Sequence, residues 1–186
     1  TPTLSSAASD VYKRQVYDRG LYYSTNNGQN WLEYGNNIED NFIYDFVKLS
    51  NDEIIAGSFY NGVFKLNQNN DWIESNSNLN HTWIRSLTKD NEGSILTSAF
   101  GRGIFKLNQN NQWVSADNNL NSPYIFNIVV SPNGNYFATG YDGQYAGSPH
   151  ASGVFFSDNL GANWTKVNTG INSQGVSEIT IDKANN

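Results

Sequence analysis

The sequence predicts an all-β fold, a partial β-propeller built from four-stranded antiparallel blades with a period of about 41 residues. The first observation is a repeat, because Gly62–Trp72 reads GVFKLNQNNDW and Gly103–Trp113 reads GIFKLNQNNQW. The second observation is spacing. The tryptophans that close four copies of this repeat are 41, 41 and 51 residues apart, at Trp31, Trp72, Trp113 and Trp164. Short strand-like runs at this period are typical of propeller blades.

Composition agrees with this fold class and excludes several partners. Aromatic residues make up 14% of the chain, a share that suits sheets packed on sheets. The formal net charge of -6 argues against nucleic acid and anionic membrane surfaces, because both need clustered Lys and Arg. No apolar run approaches the roughly 20 residues of a membrane span. Without cysteine there is no disulfide framework and no thiolate metal site.

Each repeat contains four strand signals, which we label A to D. In the second copy they cover 43–50, 53–59, 62–68 and 71–75, separated by short segments of turn composition. Six residues after each closing tryptophan comes an asparagine or, in the fourth copy, a glycine. These are the two residues that best tolerate a positive φ. A positive φ is therefore predicted at Asn37, Asn78, Asn119 and Gly170.

The repeats also set the expected boundaries. The chain contains no methionine, so we expect a metagenomic fragment whose partners include the remaining blades of its parent. Residues 1–15 are set aside, because Asp10–Gln15 (DVYKRQ) resembles a translated sequencing adapter; a natural disordered tail is the alternative. The single domain 16–186 then divides into half a blade at 16–39, complete blades at 40–79, 80–121 and 122–171, and the first strand of another at 172–186.

The turn between strands C and D carries a recognisable motif. Ser24–Trp31 and Ser157–Trp164 resemble the Asp-box, or BNR repeat, written S-x-D-x-G-x-x-W, with asparagine where the family usually has aspartate. In the two middle copies lysine also replaces the serine (Lys65, Lys106), and asparagine replaces the glycine (Asn69, Asn110). The box residues expected to be structural are Ser24, Asn26, Gly28, Trp31, Asn67, Trp72, Asn108, Trp113, Ser157, Asn159, Gly161 and Trp164.

Each part of the box has an expected task. The short asparagine side chain accepts hydrogen bonds from turn amides, and the glycine, or the asparagine in its place, supplies a left-handed residue. The tryptophan packs the turn onto its blade. The resemblance implies that these boxes lie at the propeller edge, away from the ligand face. It covers most of the chain but implies no single function. Asp-box propellers include sialidases, xyloglucanase-type hydrolases, sortilin-like receptors, a photosystem II assembly factor and secreted bacterial proteins.

Ligands are expected on the face formed by the D–A and B–C loops. Strand B ends in an aromatic residue in every copy (Tyr17, Phe59, Phe100, Tyr141), which we interpret mainly as packing between blades. Copy four has an enlarged B–C loop, 141–152, and such a loop often carries specificity, although it could be a tolerated insertion. The candidate ligand-binding residues are Arg19, Arg102, Tyr141, Asp142, Tyr145 and His150. The two arginines could instead be solvated or paired with a carboxylate.

No catalytic constellation stands out. A sialidase resemblance would imply an arginine triad, but only Arg19, Arg85 and Arg102 remain after residue 15. The two histidines, His81 and His150, lie in loops of different copies, so neither a metal site nor a cofactor is predicted. We expect a non-catalytic secreted or periplasmic recognition or scaffold propeller that binds a glycan or a protein. The alternatives are a fragment of a xyloglucanase-like or sialidase-like hydrolase, and an extracytoplasmic sensing propeller of a two-component regulator, whose repeats the strand A–turn–strand B segments resemble.

Overall fold

The computed structural model describes residues 12–16, 20–38, 42–49, 53–80, 83–120, 122–141, 153–171 and 175–182. These residues form fifteen β-strands in four antiparallel sheets, in which each strand pairs with the next along the chain. Within this part of the chain, no helix has the length and apolar character needed to cross a membrane.

The sheets are numbered as blades in chain order. Blade 1 has three strands, β1 (Tyr12–Val16), β2 (Gly20–Ser24) and β3 (Leu32–Glu33). Blade 2 has four, β4 (Ile43–Lys48), β5 (Ile54–Ser58), β6 (Val63–Leu66) and β7 (Trp72–Glu74). Blade 3 has four, β8 (Ile84–Lys89), β9 (Ile95–Ala99), β10 (Gly103–Leu107) and β11 (Trp113–Ser115). Blade 4 has four, β12 (Tyr124–Val130), β13 (Tyr136–Tyr141), β14 (Gly153–Ser157) and β15 (Thr165–Lys166).

The blades stack face to face around a common inner edge. The first strands of blades 2, 3 and 4 pack against one another, which places strand A on the inside and strand D on the outside. Apolar side chains fill the space between neighbouring blades, and Ile43, Ile84 and Ile125 at the start of each strand A are fully buried. Since each sheet buries its apolar faces against its neighbours, the molecule is a partial β-propeller, as the repeat predicted.

Backbone geometry confirms the predicted left-handed register. The φ angles are 60° at Asn37, 65° at Asn78, 61° at Asn119 and 86° at Gly170. Strand β1 begins at Tyr12, inside the segment whose adapter origin stays a prediction, and it pairs with β2 through the backbone. Residues 175–182, where we expect the first strand of another blade, belong to no strand.

The C–D turns adopt two geometries. In the first and fourth copies the serine hydroxyl accepts a backbone N–H, from Gly28 to Ser24 at 2.9 Å and from Gly161 to Ser157 at 3.0 Å. In all four copies the asparagine Oδ1 accepts turn amides, as predicted. The N···O distances are 2.9 Å from Asn30 to Asn26, 2.9 Å from Asp71 to Asn67, 3.0 Å from Gln112 to Asn108 and 2.9 Å from Asn163 to Asn159.

One detail of the middle turns differs from the prediction. Asn69 and Asn110, which replace the box glycine, are not the left-handed residues; φ is positive one residue later, 64° at Asn70 and 56° at Asn111. Without the serine hydroxyl, the Asn67 Oδ1 accepts the Asn69 N–H at 2.9 Å, and the Asn67 N–H bonds to the Asp71 carbonyl at 2.9 Å. This is a three-residue hairpin loop closed by a left-handed residue, a common alternative connection.

The closing tryptophans join neighbouring blades rather than only holding their own turns. The indole N–H of Trp72 donates to the Tyr34 carbonyl at 2.9 Å, that of Trp113 to Ser75 at 2.7 Å, and that of Trp164 to Ala116 at 2.7 Å. Each accepting carbonyl belongs to the preceding blade. The Trp31 indole, in blade 1, bonds instead to the Gly28 carbonyl of its own turn at 3.0 Å.

Candidate ligand-binding surface

Strand A carries a β-bulge in each of the three complete blades. The pairing of strand A with strand B shifts register between Ile43 and Asp45, between Ile84 and Ser86, and between Ile125 and Asn127. A bulge leaves one residue outside the ladder and re-aims its side chain. The three bulge residues are Tyr44, Arg85 and Phe126.

These three side chains meet although they come from three blades. The Arg85 Cζ lies 4.8 Å from the ring centroid of Tyr44 and 5.4 Å from that of Phe126. Both distances are in the range of cation–π attraction, so the rings hold the guanidinium between them. Among the described residues no carboxylate forms an ion pair with Arg85, and its buried Nε has no hydrogen-bond partner.

A continuous set of aromatic rings surrounds this arginine. The ring centroids of Phe59 and Trp83 are 4.3 Å apart, as are those of Trp83 and Phe100, and Tyr124 stacks on Tyr141 at 4.8 Å. We call the set the aromatic surface; it comprises Phe42, Tyr44, Phe59, Tyr60, Trp83, Phe100, Tyr124, Phe126 and Tyr141. Because Phe59 and Phe100 contact rings of the following blade, the predicted packing between blades is confirmed for them.

Part of the aromatic surface faces solvent. Tyr44 is 40% exposed and Tyr60 is 54% exposed, while the other rings are half-buried. The Trp83 Nε1 is buried and, within the described structure, has no hydrogen-bond partner. The surface therefore combines accessible rings with two unpaired N–H donors, on Trp83 and Arg85.

The residue after the bulge fixes the inner strands in blades 2 and 3, whereas the Asn127 Oδ1 after the third bulge has no partner in the described structure. The Asp45 carboxylate accepts the Leu87 N–H of blade 3 at 2.8 Å and its neighbouring Phe46 N–H at 2.8 Å. The Ser86 hydroxyl accepts the Ile128 N–H of blade 4 at 3.2 Å. Burial raises the pKa of Asp45 to about 6, although hydrogen bonds from these amides act in the opposite direction. These bonds between blades set the spacing at which the bulge residues meet.

The candidate residues taken from the sequence are only partly described. Tyr141 belongs to the aromatic surface. Arg102 is exposed on the B–C turn of blade 3, whose Gly101 and Gly103 amides both bond to the Pro123 carbonyl at 3.0 Å, so that the turn borders Tyr124. The candidates Arg19, Asp142, Tyr145 and His150 lie outside the described residues, as does Tyr17.

Sequence reasoning missed the centre of this surface. It counted Arg85 among the three arginines after residue 15 but gave no role to it or to its two neighbours. The available signal was the aligned column Tyr44, Arg85 and Phe126, in which a cation stands between two aromatics. The bulges that bring these three side chains together could not be predicted from a single sequence.

A second polar cluster lies at the opposite end of the blades. The Asp90 carboxylate, almost fully buried, accepts the Tyr136 hydroxyl at 2.7 Å and the Lys106 ammonium at 3.0 Å. Burial alone would raise the pKa of Asp90, but the hydrogen bonds from Tyr136 and Lys106 leave it lowered. Burial and the bond to Asp90 raise the pKa of Tyr136. All three groups are satisfied by one another, so this cluster joins blades 3 and 4.

Comparison with known proteins supports the fold. No family model matches the chain, and no curated protein gives a significant match. Among solved structures, the chain is similar to the extracellular domain of BT4673 from B. thetaiotaomicron, assigned as a one component system in one structure and as a hybrid two component system in another. The first gives a TM-score of 0.65 at 15% identity over 90% of this chain and 23% of that one.

Two further structures show the same fold. One is the extracellular domain of BT3049 from B. thetaiotaomicron, assigned as a hybrid two component system, with a TM-score of 0.60 at 21% identity over 77% of this chain and 19% of that one. The other is YCF48 bound to D1 peptide, with a TM-score of 0.57 at 12% identity over 87% of this chain and 50% of that one. The chain thus spans about a fifth of the matched extracellular domains and half of YCF48.

Proposed function

We propose that this chain is part of an Asp-box propeller that acts as a non-catalytic secreted or periplasmic recognition module for a glycan or a protein. The Asp-box assignment is supported by the Ser24 and Ser157 turns, in which the serine hydroxyl and the asparagine carbonyl accept turn amides. The observation that carries the binding role is Arg85, held between the rings of Tyr44 and Phe126 with its Nε unpaired.

An unpaired donor at a partly exposed surface favours binding over a purely structural role. A buried N–H without an acceptor costs about 1–3 kcal/mol, so folded proteins pair nearly all of them. Here two such donors, on Trp83 and Arg85, lie within one set of accessible rings. A ligand whose acceptors reach these two N–H groups would remove the cost, and the rings offer the flat apolar contact that sugars and aromatic peptide side chains use.

The test is a glycan array probed with the labelled 186-residue chain, alongside an array of immobilised peptides. The variant Arg85→Ala with Tyr44→Ala should lose the signal of whichever array the chain recognises, because both changes remove the centre of the aromatic surface. The matched control is Ile73→Ala, an exposed apolar residue of strand D that is 52% exposed. Binding that survives the double change, or that falls equally in the control, contradicts the proposed site.

A second candidate function is ligand sensing outside the cytoplasm. It is favoured by the fold shared with the extracellular domains of BT4673 and BT3049, both assigned to sensing systems. In that case the gene that encodes this chain should continue into a membrane-spanning helix followed by a kinase or transcription-regulating domain. Sequencing the surrounding gene checks this, and an open reading frame that ends without either element removes the candidate.

A further inference from the structure

We infer that the aromatic surface recognises a saccharide bearing a single carboxylate, a uronic acid residue, with the carboxylate at Arg85. This inference rests on the proposed function and specifies the ligand class of the same surface. It starts from Arg85, a bulge residue that forms no ion pair with any carboxylate of the described structure.

The unpaired buried polar atoms of the described structure include donors and acceptors, among them the Asn127 Oδ1 beside Phe126 and the hydroxyls of Ser98 and Thr139. Two of these atoms are N–H groups, the Trp83 Nε1 and the Arg85 Nε, and neither has an acceptor among the described residues. The rings of Tyr44 and Phe126, from the blades on either side, contact the guanidinium, and no carboxylate of the described structure pairs with it. A carboxylate satisfies a guanidinium edge with two parallel hydrogen bonds and cancels its charge.

The charge of the chain limits how many carboxylates the ligand can carry. The formal net charge is -6, so a polyanion would be repelled at long range. Near the centre, Asp45 follows Tyr44 in the same strand and adds a further acidic group, while Arg102 on the bordering turn adds a cation. One carboxylate on an otherwise neutral molecule fits this distribution of charge better than a sulfated or polyuronic chain does.

The exposed rings fit a sugar as the rest of the ligand. Tyr44 and Tyr60 expose 40% and 54% of their surface beside the arginine and the neighbouring rings. A pyranose presents an apolar face of C–H groups that stacks on such rings, and its hydroxyls reach water or tyrosine hydroxyls at the edge. A uronic acid combines this ring with a carboxylate in one residue, which matches the pairing of Arg85 with Tyr44.

The test compares three disaccharides that differ at one carbon: cellobiouronic acid, its methyl ester and cellobiose. Each is titrated into the ¹⁵N-labelled 186-residue chain while the indole N–H signal of Trp83 is followed, the signal being assigned with Trp83→Phe. Cellobiouronic acid should shift this signal and bind about tenfold or more tightly than the ester or cellobiose, because only the acid pairs with the guanidinium. Arg85→Gln should remove that preference, whereas Arg102→Gln should leave most of it.

The outcomes separate this inference from the proposed function. Equal affinity for the acid, the ester and cellobiose overturns the carboxylate claim while sugar recognition stands. Recognition of peptides with no response to any of the three sugars overturns the ligand class but leaves a recognition propeller. If Arg85→Gln and Arg102→Gln weaken binding equally, the carboxylate is not at Arg85. The comparison of acid with ester uses the unaltered chain, so it is decided even where a variant fails to fold.

Discussion

The closing tryptophans and Trp83 use the same side chain in two ways. At the outer turns, the indole N–H groups of Trp72, Trp113 and Trp164 each bond to a carbonyl of the preceding blade. On the inner face, the indole N–H of Trp83 has no partner in the described structure, and its ring lies between Phe59 and Phe100. The difference teaches that the pairing of the polar atom, not residue type, separates the blade contacts from the candidate binding surface.

The largest expected effect is at the tryptophans of the outer turns. Trp113 is almost fully buried and joins blades 2 and 3, so Trp113→Ala should lower the free energy of unfolding by about 3–5 kcal/mol. Urea unfolding followed by circular dichroism measures the change. Trp31→Ala is the control, since the Trp31 indole bonds only within its own turn, and its cost should be clearly smaller. Equal losses would show that the contact between blades is not what makes these tryptophans structural.

Asp45 extends the comparison to charge. Its pKa is raised from 3.8 to about 6 in the folded protein, so the folded state holds the proton more tightly than the unfolded state does. The stability it contributes is therefore fully present below pH 3.8 and is lost as the pH rises through about 6. The loss amounts to about 2–3 kcal/mol, at roughly 1.4 kcal/mol per pH unit.

Asp45→Asn provides the measurement. The unfolding free energy of the original chain minus that of Asp45→Asn should be larger at pH 4 than at pH 7.5, because the asparagine cannot titrate. Urea unfolding at four pH values between 4 and 7.5 checks this. A difference that is constant with pH would mean that Asp45 does not titrate in this range.

Two equivalent lysines give a smaller, matched effect. Lys106 bonds to Asp90, whose side chain is 0% exposed, whereas Lys65 pairs with Glu53 at 2.9 Å where the two side chains are 40% and 35% exposed. Lys106→Met should cost about 1–2 kcal/mol because it leaves a buried carboxylate with one fewer donor. Lys65→Met should change stability by less than about 0.5 kcal/mol, as is usual for exposed ion pairs. Thermal unfolding of the two variants side by side decides this, and equal changes would contradict the structural role given to the Asp90 cluster.

The smallest expected effect on stability distinguishes a tryptophan with a bonded indole N–H, Trp113, from Trp83. Trp113→Phe keeps an aromatic ring but deletes the N–H that bonds to Ser75, so it should cost about 1 kcal/mol for the hydrogen bond in addition to the smaller ring. Trp83→Phe deletes an N–H that has no partner among the described residues, so only the change in ring size remains. Chemical denaturation of both variants checks the difference. A Trp83→Phe variant destabilised as much as Trp113→Phe would mean that the Trp83 N–H is paired in solution.

The repeat made most of the fold predictable. The closing tryptophan of each of the four repeat copies located the strands. The position that holds asparagine or glycine in every copy located the positive φ at Asn37, Asn78, Asn119 and Gly170. These features are local, because the conformation of a turn residue depends mainly on its own backbone preferences. The left-handed residue of the middle turns was misplaced by one, at Asn69 and Asn110, because the hairpin loop changes when the serine is absent.

The candidate site was much less predictable. The Trp72 bond to Tyr34 spans 38 residues, and the contact of Arg85 with Tyr44 and Phe126 joins three blades. Such contacts depend on how bulged strands sit relative to one another, which no single repeat encodes. The sequence instead drew attention to loop residues, four of which lie outside the described residues, while Arg85 in a strand went unassigned.

The most direct test is the hydrogen exchange of the five indole N–H groups, measured by NMR on the ¹⁵N-labelled chain before and after cellobiouronic acid is added. Without the sugar, the indoles of Trp72, Trp113 and Trp164 should exchange slowly because they are bonded across blades, and that of Trp83 should exchange fastest among the buried indoles. With the sugar, only the Trp83 indole should become protected. If Trp83 is already as slow as the other three and does not respond, the distinction between paired blade contacts and an unpaired binding surface is wrong.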